Sequence, residues 1–157
     1  MQAKRFSRTN EATVGSGASV VLGTITNNQS RKANFHGIRA SGRIRADNVT
    51  SDNEAHGLIV IWCKNAEFTI VENQIDGTSE LEEFSDQVVA VLPWAVFGGS
   101  TTPNQFGAIF DFDINIGKTS RTCTRGQELE LACYSMAESS KSVVVMHSLL
   151  SCFETIT

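Results

Sequence analysis

Arg39, Arg43 and Arg45 fall at positions of one parity in the stretch HGIRASGRIRAD, while Ile38, Ala40, Ile44 and Ala46 take the other. Successive side chains of a strand point to opposite faces, so a strand here has one apolar face and one face of three guanidinium groups. Guanidinium stays charged in every setting and offers a planar fork to phosphate or carboxylate. Arg31 and Lys32 precede this strand, and Lys4, Arg5 and Arg8 lie near the start of the chain. Together the eight cations form a candidate polyanion surface. Full engagement of a single strand would give a log–log salt slope as steep as about −5. Only Phe6 and Phe35 lie nearby, so base stacking is poorly provided for, and the expected contact is to the backbone without sequence preference. The competing reading is a solvated strand face paired with acids elsewhere.

Charge is distributed unevenly along the chain. Up to residue 45 the eight basic residues stand against Glu11 alone, a net +7; from residue 46 five basic residues face sixteen acids, a net −11. Asymmetry of this kind points to an electrostatic partner for the basic part, unless folding mixes the charges over one surface.

Other chemistry is sparsely supplied. Asp111 and Asp113 share a strand face, as do Glu128 and Glu130. Such pairs serve glycosidases or hard cations, and they also mark the wet side of a half-buried strand. Asp111 and Asp113 are the weak metal candidates, with a divalent cation at a subunit contact as the form it would take. His36, His56 and His147 sit in no catalytic motif, and no phosphate-binding, hydrolase or zinc-protease signature occurs. The four cysteines form no close pair, and Cys63, Cys133 and Cys152 sit in apolar runs as small hydrophobes. The expectation is a non-enzyme without a cofactor, made in a reducing setting. No membrane-length apolar run or signal-peptide core is present, so a soluble protein with no membrane partner is expected.

The elements that must position these residues are strands. At 157 residues the chain suffices for one core. Apolar alternation of period two predicts strands over 18–25, 35–46, 56–64, 67–72, 86–97, 106–116, 127–135 and 142–156. HGLIVIWCK is apolar throughout and suits a strand buried on both faces. Pro93 marks 86–97 as an edge or bulged strand. One short helix is predicted over 79–85, capped by Ser79. The fold class is an all-β, eight-stranded antiparallel sandwich, for which a single jelly roll is the natural form. Residues 1–17 read as a short basic arm and 18–157 as the jelly-roll domain.

The C-terminal part, FDFDINIGKTSRTCTRGQELELACYS followed by KSVVVMHSLLSCFETI, resembles the closing strands of small single jelly-roll viral capsid proteins. The likeness is strongest to those of circular single-stranded DNA viruses from environmental sequences. It is carried by a strand running into Lys118, Arg121 and Arg125, the Gly126-Gln127 turn, alternating Leu129 and Leu131, and a final apolar strand. The resemblance implies a virion protein, made in a host cell, that self-assembles into a small icosahedral shell. It implies packaging of viral nucleic acid, single-stranded and without sequence specificity, with the arginine face turned inward. Those proteins carry a long Arg-rich arm, whereas this chain has only Lys4, Arg5 and Arg8 before residue 18. A carbohydrate-binding β-sandwich using Trp62, Trp94 or Tyr134, and a phage accessory or decoration protein forming a small oligomer, are the alternatives.

Overall fold

The structure is a computed structural model and describes residues 2–28, 31–46, 54–64, 88–97, 109–123, 127–136 and 142–156. These residues form eight strands: β1 (Gln2–Val14), β2 (Ser19–Thr26), β3 (Ala33–Ala46), β4 (Glu54–Lys64), β5 (Val88–Phe97), β6 (Ile109–Cys123), β7 (Glu128–Ser135) and β8 (Val143–Ile156). Two four-stranded sheets result, ordered β1-β8-β3-β6 and β2-β7-β4-β5, with every pairing antiparallel. The nesting of β1 with β8, β2 with β7, β3 with β6 and β4 with β5 is that of one long hairpin rolled upon itself. This is the jelly roll.

The expected all-β sandwich is therefore the observed fold, although the strands are not all those predicted. The predicted strand 67–72 and the predicted helix 79–85 lie outside the described residues. Residues 2–14, most of the stretch read as a basic arm, form β1 instead, laid along β8 from Gln2 opposite Thr155 to Val14 opposite Val143. Apolar periodicity could not reveal it. The residues of β1 turned toward the second sheet are Arg5, Ser7 and Thr9, joined only at the end by Ala12 and Val14.

Between the sheets lies a core that includes Leu22, Phe35, Ile38, Ile44, Ile59, Ile61, Leu129, Leu131, Val145 and Leu150. Each such side chain contributes roughly 1.5–3 kcal/mol by leaving water. β4 is apolar on both sides, as its continuous run predicted. Ile59 and Ile61 join the central core, while Leu58, Val60 and Trp62 join a second cluster with Ala132, Tyr134 and Met136. Pro93 lies in β5, which among the described residues is an edge strand of its sheet, where its missing N–H costs least.

Two irregularities in the first sheet decide which side chains face outward. In β3, Ala33 and Phe35 are buried before Gly37, and Ile38, Ala40 and Ile44 after it. The parity changes because Gly37 adopts a left-handed φ of 58° at a register shift. A matching shift in β8 falls at His147, whose φ is 53°. Val143 and Val145 point inward before it, and Ser148, Leu150 and Cys152 after it.

Candidate nucleic-acid interface on the outer face of the β1-β8-β3-β6 sheet

Strand alternation places Lys4, Phe6 and Arg8 of β1 on the outer face of this sheet. Leu149, Ser151 and Phe153 of β8 lie beside them, then Arg39, Ser41, Arg43 and Arg45 of β3, and Asp111, Asp113 and Asn115 of β6. Arg39 and Arg43 are exposed and Arg45 is half-buried, as the parity of the stretch predicted. Arg5, grouped with them in that prediction, is not on this face. It points between the sheets, where Nη1 donates to Glu154 Oε2 at 2.6 Å and Nη2 to the Thr26 carbonyl at 3.3 Å.

Two of the three arginines are matched by acids. Arg43 stands opposite Asp111 in the ladder and holds it through Nε at 2.7 Å and Nη2 at 3.1 Å. Arg39 reaches diagonally to Asp113 through Nε at 3.1 Å and Nη2 at 2.8 Å. These bidentate hydrogen bonds hold both carboxyls below their ordinary range and raise both guanidinium values, with charge attraction adding to the effect. The two candidate cation ligands thus serve as arginine partners. Among the described residues, no group of three or more His, Cys, Asp or Glu side chains is placed to hold a metal ion.

The remaining cations differ in setting. Arg45 donates from Nε to Met146 Sδ at 3.1 Å. Lys4 and Arg8 are exposed and form no ion pair among the described residues, and the Arg8 guanidinium lies 5.5 Å from the centre of the Phe6 ring. Arg31 and Lys32 are exposed at the start of β3, at the end of the sheet where Ala33 pairs with Ile156. Lys118 and Arg121 lie in β6, whose side chains from residue 118 onward are not described, and Arg125 lies outside the described residues.

β1 and β3 flank β8 in the sheet, and their outward side chains leave a groove over it. Lys4, Phe6 and Arg8 form one wall, Arg39 the other, and Ser41, Leu149 and Ser151 the floor, enclosing about 420 Å³. Smaller hollows extend it toward His147 and Asn10 at one end and Phe153 and Asn115 at the other. Sequence reasoning named the cations but not Phe6 as part of the surface. The period-two spacing of Lys4, Phe6 and Arg8 was the available signal.

Other sequence candidates are absorbed by structure. Trp62, Trp94 and Tyr134 are 2%, 2% and 3% exposed, so none offers an open aromatic platform. Glu130 is buried and accepts the Trp62 Nε1 hydrogen at 3.0 Å, while Glu128 accepts from Thr26 Oγ1 at 3.3 Å. His36 hydrogen-bonds Thr155 at 3.0 Å through Nε2 and stacks on Phe153.

No family model and no curated protein matches the chain. Among solved structures, it is similar to the structure of infectious bursal disease virus Gx strain at 10% identity and a TM-score of 0.40, covering 99% of this chain and 32% of that one. A CocE/NonD family hydrolase from Staphylococcus aureus is similar at 11% identity and a TM-score of 0.44, covering 94% of this chain and 33% of the other. Desmodium yellow mottle tymovirus is similar at 10% identity and a TM-score of 0.32, covering 100% of this chain and 89% of that one. The chain spans about a third of the length of the first two. The fold assignment rests on the strand order and register described above.

Proposed function

We propose that the chain is a viral coat protein, a single jelly roll whose copies assemble into a closed icosahedral shell around nucleic acid. The observation that carries this reading is the outer face of the β1-β8-β3-β6 sheet. It combines Lys4 and Arg8, which form no ion pair among the described residues, with exposed apolar side chains, Phe6 at 62% and Phe153 at 38% exposure. Val21 and Ile109 are further large apolar side chains left open. Identical subunits that close by symmetry need such contacts only in modest strength, because each is repeated around the shell. Cationic side chains turned to the lumen neutralise phosphate without reading sequence. In this reading the protein is a virion component, performs no catalysis and needs no cofactor. The likeness of its last strands to coat proteins of circular single-stranded DNA viruses supports that lineage.

Electron microscopy of the purified protein, with nucleic-acid and protein absorbance read on the same peak, tests the proposal. Uniform closed shells with excess nucleic-acid absorbance are expected. A monomer or small discrete oligomer with a clean protein spectrum would overturn it in favour of the accessory-protein or sugar-binding alternatives.

A further inference from the structure

We infer that the groove over β8 is a binding site for single-stranded nucleic acid in which Phe6 stacks against an unpaired base and Lys4 and Arg8 neutralise the adjoining phosphates. The inference deepens the coat-protein reading and rests on it for the identity of the strand. Its basis is a juxtaposition of three kinds of group. Lys4 and Arg8 lie four residues apart on one strand, about 13 Å, and bracket an aromatic ring of 62% exposure on the same face. Leaving a phenyl ring so open in water is unfavourable unless something flat covers it. The Arg8 guanidinium, 5.5 Å from the ring centre, sets a phosphate partner beside a stacking surface. Across the groove Arg39 has two nitrogens engaged by Asp113, so the uncompensated charge of the site lies on the β1 wall. Hydroxyls of Ser41 and Ser151 on the floor are fit to meet sugar or phosphate oxygens.

This arrangement refines the expectation of purely backbone contact. A base can lie on Phe6 only if it is unpaired, so the groove favours single strands over duplex of equal charge. Stacking tolerates any base, and sequence indifference is retained.

Fluorescence anisotropy with labelled oligothymidine, oligouridine and a DNA duplex, each across a salt series, tests the site on the full chain. Phe6→Leu keeps an apolar residue at an exposed position and removes the ring. It should weaken single-strand binding about tenfold, leaving the salt slope and duplex affinity unchanged. Lys4→Ala with Arg8→Ala should flatten the single-strand slope by about 1.4. Loss on either sugar supports the site and names the strand it takes. Equal effects of Phe6→Leu on single strands and duplex, or none on either, would overturn the inference. Variants that bind oligonucleotide normally but no longer form particles would make the groove a contact between copies, which also overturns it. Wild-type protein that forms shells but binds no oligonucleotide once dissociated into subunits and freed of nucleic acid would sink the groove and leave the coat-protein reading standing. Binding that needs Phe6 without any shells would do the reverse.

Discussion

At the scale of single residues, the outer face shows how register converts a row of like charges into a mixed surface. Arg39 and Arg43 repel as neighbours on one strand, yet β6 supplies Asp113 and Asp111 in bidentate geometry. Exposed pairs of this type add little to stability, but they withhold both guanidinium groups from an outside ligand. Replacing Asp111 and Asp113 by Asn should therefore raise the salt needed to elute the protein from a heparin column while leaving the denaturation midpoint in place. Acid should act in the same direction. Both carboxyls are held below their ordinary value, so the stability they supply is present above the unfolded carboxylate range. It is lost as pH falls through the lower folded values, and polyanion affinity should climb only there. Affinity measured across a pH series checks this, and a rise near neutral pH would contradict it.

β1 is the element on which the proposal depends most, and it is held in an unusual way. Its inner side is largely polar: Arg5 binds Glu154, Thr9 Oγ1 donates to the Leu22 carbonyl, and Ser7 Oγ accepts from the Thr24 amide at 3.3 Å. Removing Arg5 leaves a carboxylate that is 6% exposed and has no described partner for its second oxygen. Arg5→Ala should cost about 2 kcal/mol, less than for a fully buried pair because the arginine is partly wet. The loss should be concentrated in β1. Hydrogen exchange is expected to quicken at residues 4–10 and to leave β4 and β7 protected. Uniform quickening would mean that β1 is no more separable than the centre of the sandwich. A loosened β1 should also lose the groove, since Lys4, Phe6 and Arg8 ride on it.

For the whole molecule, the roll is closed by pairing its first and last strands, and the core is sealed only when β1 lies on β8. Cys133 and Cys152 report on that closure. Both are buried thiols; burial pushes Cys133 far up and Cys152 to about 12, with the charge of Arg5 acting the opposite way on the latter. With Cys63 and Cys123 replaced by Ser, the remaining two should resist thiol reagents in mildly alkaline buffer. They should label at the rate of opening. Cys152 should label before Cys133 in the Arg5→Ala variant, because β8 loses its cover when β1 leaves. Prompt labelling of both in the parent protein would show that the sandwich opens more freely than its packing indicates.

The sequence by itself determined the class of fold, the placing of Pro93 at an edge or bulge, the double-sided burial of β4 and the face on which Arg39, Arg43 and Arg45 stand. Each follows from local alternation or a missing N–H, which a single strand carries within itself. Tertiary structure alone decided that residues 2–14 are a strand, because β1 has little apolar pattern and exists through its ladder with β8. It decided that Asp111 and Asp113 face arginine and not a cation, since register between strands some 70 residues apart leaves no local trace. It also turned Arg5 inward and Phe6 outward, and by placing β1 beside β8 it made a groove from side chains that lie more than a hundred residues apart.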